Sequence, residues 1–137
     1  MTQKKLLVKD CMARRLITLS PETEIMQAVH TLIDKDISGA PVVDDNDQLV
    51  GILTQKDCMK VVLNAAYHSE IGGIVADFMS TKISSLPPDM NLVEAAQCFL
   101  DQHYHRYPVL EDGALIGQIS RRDILRALED AWQWSND

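Results

Sequence analysis

Internal repetition constrains this chain more than any other feature. A displacement of 67 positions brings Val8 onto Val75, Asp10 onto Asp77, Met12 onto Met79, Leu19 onto Leu86 and Pro21 onto Pro88. Ala28 then falls on Ala95, Asp34 on Asp101, Pro41 on Pro108 and Val42 on Val109. One residue dropped from the turn Asp44-Asp45-Asn46-Asp47 changes the displacement to 66, and Leu49 meets Leu115, Gly51 meets Gly117, Thr54 meets Ser120 and Asp57 meets Asp123. A register held this long, with one gap placed in a turn, means one unit of about 60 residues used twice. A unit that short buries too little surface to be robust alone, so the halves are expected to pack on each other.

Each unit reads the same way. Ser20-Pro21-Glu22 has the form of a helix start, with serine as N-cap and proline at the first helical position. Ile25, Val29, Leu32 and Ile33 follow at helical spacing, repeated by Leu92, Ala96, Phe99 and Leu100. Two short apolar runs around a polar turn come next: Pro41-Val42-Val43 with Leu49 to Leu53, and Pro108-Val109-Leu110 with Leu115 to Ile119. They predict paired strands. Thr54 and Ser120 open a second helix, running roughly to Tyr67 and Trp132, and a short extended piece precedes each unit (Ile17 to Leu19, Ser84 to Leu86). The expected class is therefore α+β, two β-α-β-β-α repeats. The first spans 1–67 and the second, with a C-terminal helix, 75–137. Residues 68–74 connect them, Gly72-Gly73 ending the helical pattern.

Composition removes several function classes. The chain is 46 % hydrophobic and 24 % charged, with enough apolar side chains to close a core. It has no run of about 18 apolar residues, so no membrane span is expected. The segment Met1 to Arg15 lacks the apolar stretch and small-residue cleavage site of a signal peptide. Cys11, Cys58 and Cys98 are odd in number and match no metal-ligand spacing, which suits reduced thiols and predicts a cytoplasmic location. A net charge of −7 argues against nucleic-acid binding, and any anionic ligand must be held by a local basic cluster.

Several segments then resemble the CBS domain, the cystathionine-β-synthase module. Val8-Lys9-Asp10-Cys11-Met12 and Val75-Ala76-Asp77-Phe78-Met79 are similar to its opening. Ile37 to Asp44 resembles its first strand. Gly51-Ile52-Leu53-Thr54-Gln55-Lys56-Asp57 and Gly117-Gln118-Ile119-Ser120-Arg121-Arg122-Asp123 resemble the strand-to-helix junction that follows. No single motif is decisive, but their order and duplication cover nearly the whole chain. The resemblance implies a tandem CBS pair, or Bateman module: pseudo-twofold repeats packed through their sheets, with two equivalent clefts between them. Such clefts commonly take AMP, ADP, ATP or S-adenosylmethionine, and such pairs commonly form homodimers.

The first candidate site is Thr54-x-x-Asp57 with Ser120-x-x-Asp123. At a strand-to-helix junction this spacing is a capping box. It can equally aim an aspartate at two ribose hydroxyls while the hydroxyl and free N–H groups of the helix start face a ligand. Both can hold, since the cap fixes the acid. The second candidate is the basic group Arg106, Arg121 and Arg122, ordinarily solvated charge. Arg106 stands at the entrance to a strand, in a His105-Arg106 pattern that resembles the phosphate-contacting segment of the regulatory subunit of AMP-activated protein kinase. A guanidinium can hold phosphate through two hydrogen bonds at once. Arg122 points the same way, and Arg121 is the weaker candidate. The first repeat has Gly39 where the second has Arg106, leaving Lys56 as its evident cation, so unequal sites are expected. The resemblance further implies that the Asp123 pocket borrows Ile17, Ile37 and Ser38, and the Asp57 pocket Ser84, Tyr104 and His105.

The remaining readings are bland. His103-x-His105 could place two rings on one face, but two ligands without a third make a weak metal site. No glycine-rich phosphate loop, nucleophile elbow or paired-histidine motif supports catalysis, and Cys11 and Cys58 fall where the other repeat has Phe78 and Ile124, as small core residues would. Trp132 and Trp134 end the last helix with large apolar surfaces that pack back or mark a contact. The expected function is a non-enzymatic sensor that binds an adenosyl ligand and acts through a separate effector protein, requiring no cofactor. The alternative is a ligand-free structural or oligomerisation module, with an uncharacterised hydrolase a weaker third.

Overall fold

A computed structural model describes residues 6–69 and 71–135. The elements are α1 (Val8–Cys11), α2 (Ile25–Asp34), β1 (Gly39–Val43), β2 (Leu49–Thr54) and α3 (Gln55–His68), then a single 3₁₀ turn, Val75–Asp77. The second repeat follows with α4 (Leu92–Asp101), β3 (Arg106–Glu111), β4 (Ala114–Ser120) and α5 (Arg121–Ser135). The fold is mixed helix and strand, as the repeat predicts: each repeat carries one antiparallel hairpin, β1 with β2 and β3 with β4.

The two sequence repeats and the two compact units are different partitions of the chain. One unit comprises residues 17–83, and the other residues 84–137 together with residues 1–16. In the first unit, Leu19 pairs in parallel with Val42 on one edge of the hairpin and Ser80 pairs antiparallel with Ile52 on the other. In the second, Leu86 pairs in parallel with Val109, and Ala13 exchanges both backbone hydrogen bonds with Gln118, at 2.8 and 3.0 Å. The opening segment of each sequence repeat thus completes the sheet of the other repeat's hairpin. The hydrophobic clusters follow the same exchange. Val75 and Phe78 pack with Leu19, Ile25, Leu32 and Leu53, whereas Val8 and Met12 pack with Leu86, Phe99, Val109 and Ile119.

Glycine is required where the exchanged segment crosses the hairpin. A Cβ on Gly51 would run into the Met79 side chain and stand 3.1 Å from the Ser80 carbonyl oxygen. A Cβ on Gly117 would run into Met12 and stand 2.9 Å from the Ala13 carbonyl. The hairpin turns explain the single gap. Asp44 Oδ1 accepts from the N–H groups of Asn46 and Gln48 at 2.9 and 3.0 Å, closing the longer loop. The shorter turn uses two residues of positive φ, Asp112 at 52° and Gly113 at 83°.

Three sequence expectations need correction. Ser20-Pro21 does not open a helix: α2 begins at Ile25 with Glu24 at the N-cap. Instead Ser20 Oγ accepts from the Glu22 N–H at 3.3 Å and the Ser20 carbonyl from Thr23, a local side-chain turn that competes with helix. The residue that ends α3 in the left-handed region is Ser69, φ 55°, and not the Gly72-Gly73 pair. Ile33 and Leu100, which helical spacing groups with the apolar face, are 70 and 80 % exposed, because Ala28 and Ala95 complete the buried stripe.

Candidate functional site

The Thr54–Asp57 and Ser120–Asp123 motifs form the same corner twice, each where a strand ends and a helix begins. Thr54 N–H and Oγ1 donate to Asp57 Oδ2 at 3.0 and 2.9 Å, and the Asp57 N–H donates back to Thr54 Oγ1 at 3.1 Å. Ser120 N–H and Oγ donate to Asp123 Oδ2 at 2.9 and 3.0 Å, with the Asp123 N–H returning to Ser120 Oγ at 3.2 Å. The capping box is therefore made in both repeats, and it uses one carboxylate oxygen in each. The other oxygen, Oδ1, stands 3.7 Å from Lys60 Nζ in the first corner and 3.8 Å from Arg126 in the second. Both cations are more than half exposed, so these ion pairs are weak. Each aspartate is thus held rigidly by its backbone while one oxygen keeps acceptor capacity.

The surroundings of the two corners differ. Arg106 is the ladder partner of Ser120, and Gly39 is the partner of Thr54. Gln55 reaches back from the start of α3, its Nε2 donating to the Ile37 carbonyl at 3.0 Å and its N–H to the Ser38 carbonyl at 2.8 Å. At the equivalent position in α5, Arg121 donates instead to His105 Nδ1. Arg106, Arg121 and Arg122 are all exposed, and neither Arg106 nor Arg122 has a side-chain partner among the described residues. Tyr104 sits edge-on to the buried Tyr107 ring at 5.4 Å, and the Tyr107 hydroxyl donates to the Cys98 carbonyl at 3.0 Å.

The remaining expected residues fall on both sides of the division. Ile17, Ile37, Ser38, Thr54, Lys56 and Asp57 belong to the first compact unit, and Ser84, Tyr104, His105, Arg106, Ser120, Arg122 and Asp123 to the second. Ile17, Ser38, Lys56 and Ser84 are exposed, and Ile37 is half-buried. The reach of Gln55 and Arg121 across the hairpin end escaped the sequence, because a residue 18 or 16 positions away is brought close only by the hairpin register. So did the aspartates of the opening motifs: Asp10 and Asp77 accept from Leu7 and Ile74 N–H at 2.9 and 3.0 Å.

Among the described residues, no group of three His, Cys, Asp or Glu side chains is arranged to hold a metal. No described helix is long and apolar enough to cross a membrane. Burial raises the Cys58 thiol above its ordinary value, with the Asp57 charge adding to it. Burial likewise raises Cys11, helped by Asp10, Asp123 and Asp130. A raised value leaves less of the thiol as the nucleophilic thiolate. Trp132 is 65 % exposed, and the side chain of Trp134 lies outside the described residues.

Known proteins share this architecture. An uncharacterised protein of Methanocaldococcus jannaschii is 26 % identical over 129 residues, covering 94 % of this chain and 45 % of its own length. The chloroplast CBS domain-containing protein CBSX2 of Arabidopsis thaliana is 28 % identical, the match covering 88 % of this chain and 62 % of that protein. The chain therefore spans less than two thirds of these relatives. The crystal structure of CBSX2 in complex with AMP superposes at a TM-score of 0.79 with 30 % identity, over 90 % of this chain and 96 % of that one. The CBS domain pair of protein MJ0100, in complex with 5′-methylthioadenosine and S-adenosyl-L-methionine, gives 0.74 at 26 % identity, over 93 and 98 %. The profile of the CBS domain matches residues 8–64 and again residues 75–130, which together make up most of the sequence, and the chain belongs to the CBS domain family as a tandem pair.

Proposed function

We propose that this chain is a regulatory module that binds an adenine nucleotide or related adenosyl ligand (AMP, ADP, ATP or S-adenosylmethionine) and is not itself an enzyme. The observation that carries the reading is the duplicated corner. Asp57 and Asp123 are each locked by a capping box through one oxygen, leaving Oδ1 to accept hydrogen bonds from ribose hydroxyls. The CBS pairs crystallised with AMP and with S-adenosyl-L-methionine support it. The ligand-facing residues we assign are Ile17, Ile37, Ser38, Thr54, Lys56, Asp57, Ser84, Tyr104, His105, Arg106, Ser120, Arg122 and Asp123. The ligand shifts a conformational equilibrium only by its differential affinity for the two states, and a homodimer or a separate effector protein reads the change. The exposed Met59 and Val62 of α3, with Leu125 and Leu128 at the equivalent positions of α5, are the apolar faces for a homodimer, and light scattering of the purified chain checks it.

Titration calorimetry of nucleotide-free protein against AMP, ADP, ATP and S-adenosylmethionine tests the proposal. Binding on the order of micromolar by at least one of them is expected. Asp123→Asn keeps a capping acceptor but replaces the free oxygen's charge, so it should weaken that ligand about tenfold with little loss of melting temperature. Silence from the whole panel in folded protein would instead favour a structural module in which the aspartates serve only as caps.

A further inference from the structure

The outer edge of β4 is shared by the opening segment of the chain and the candidate site. Pro108, the ladder partner of Gln118, has no N–H, and its carbonyl accepts from Leu86 on the far side at 3.0 Å. Gln118 therefore turns both backbone groups away from β3, and Ala13 takes them at 2.8 and 3.0 Å. Groups facing one edge recur at every second residue, so the next N–H on that edge is that of Ser120, which donates to Asp123 Oδ2 at 2.9 Å. The opening segment and the aspartate of the site are consecutive occupants of one strand edge. Met12 lies over Gly117, and α1 packs against both β4 and α5. The Cys11 thiol is raised by burial and then by the charges of Asp10, Asp123 and Asp130, which agrees with a place beside α5.

That segment is built as a separable piece. Val8 and Met12 seat it in the cluster of Leu86, Phe99 and Val109, and the N–H groups of Val8 and Lys9 donate to the Met90 and Pro88 carbonyls at 2.8 and 2.9 Å. Residues 14–18, which follow, make no backbone hydrogen bond among the described residues, and all but Leu16 are exposed. Rotation within this stretch can lift the segment while β3 and β4 stay paired. The counterpart in the first unit is held more firmly. There Phe78, 5 % exposed, stands where the opening segment has the half-buried Cys11, and the smaller side chain buries less apolar surface.

We infer that ligand binding at the Ser120–Asp123 corner is coupled to the seating of the opening segment on β4, and that this segment carries the ligand signal outward. The inference rests on the adenosyl-binding reading above. A ligand on Asp123 Oδ1 holds the carboxylate, and through Oδ2 the Ser120 N–H, in the line that continues the edge paired with Ala13. The coupling is reciprocal: seating strengthens ligand binding by the factor by which ligand strengthens seating. Unseating uncovers the backbone groups of Gln118 and the apolar slot that Val8 and Met12 fill, a change that an effector can read.

Hydrogen exchange of the full chain by mass spectrometry, with and without saturating AMP or S-adenosylmethionine, tests it. The ligand that binds should slow exchange over residues 8–13 about fivefold or more. Residues 75–80, the counterpart segment, should change by less than about twofold. Ala13→Pro removes one edge donor at an exposed position with no change of charge, and Met12 before it is already extended, ψ 153°, as proline requires of its predecessor. This variant should exchange faster over residues 8–12 and bind the same ligand about fivefold or more weakly by calorimetry. Faster exchange there with unchanged affinity overturns the coupling. So does a bound ligand that leaves residues 8–13 unchanged, or one that slows both segments equally, as general stabilisation does. The wild-type exchange decides the matter whether or not the variant folds. A wild-type chain that binds neither ligand overturns the adenosyl reading, and the coupling with it.

Discussion

At the scale of single residues, the chain separates groups that hold the backbone from groups that face outward. Asp57 and Asp123 do both, one oxygen on the cap and one beyond it. The capping function is legible in the sequence, because a hydroxyl three residues before an acid has few other roles at a strand-to-helix junction. The second oxygen's surroundings are not, since Lys60 and Arg126 reach it only after the helix has formed. The cysteines follow from burial. Cys58 is 7 % exposed and sits in the core cluster of its unit. Its folded-state value is raised first by desolvation, so the neutral thiol favours the fold. That contribution is fully present below the unfolded thiol value and is lost as pH rises past about 8.5. Native protein labelled with a thiol reagent at pH 8 should react at Cys98 and Cys11 well before Cys58, and all three should react together in denaturant. Equal rates in the native state would contradict the packing.

At the scale of elements, strand and helix identities were readable because both repeats voice the same pattern, and a second copy removes ambiguity from short apolar runs. The ends were not. Ser20-Pro21 looks like a cap and serves a turn, since the serine hydroxyl finds the Glu22 N–H before any helix begins. The glycines of β2 and β4 have a meaning that only packing supplies: Met79 lies over Gly51 and Met12 over Gly117. Gly117→Ala should therefore destabilise by about 1–3 kcal/mol, as overpacking does, because the backbone carbonyl of Ala13 cannot swing away. Gly51→Ala should cost about the same, and shortening Met79 in that background should cost less than it does alone. Thermal melts of the single and double variants check both. Gly72→Ala, where nothing lies within 4 Å of the added Cβ, is the control expected to be near neutral.

At the scale of the molecule, the exchange of opening segments decides what can fold by itself. Residues 75–137, the second repeat as the sequence delimits it, would leave Val75 and Phe78 without their cluster and β4 without its Ala13 neighbour. That fragment also lacks Val8 and Met12, which are 0 and 8 % exposed in the intact chain. It should show no cooperative melt by circular dichroism, whereas residues 84–137 joined through a flexible linker to residues 1–16 should regain one. A well-folded 75–137 fragment would overturn this account.

The sequence by itself determined the duplication, the order of elements within each repeat, the two capped aspartates and the excess of arginine in the second copy. These are local or periodic properties, set by spacing along the chain, and a sequence displays spacing directly. Tertiary structure alone decided which opening segment completes which sheet, which methionine covers which glycine, and that Gln55 and Arg121 reach across their hairpin ends. In a chain with two units built on the same pattern, an apolar segment fits either partner by pattern, and only shape and chain connectivity choose between them.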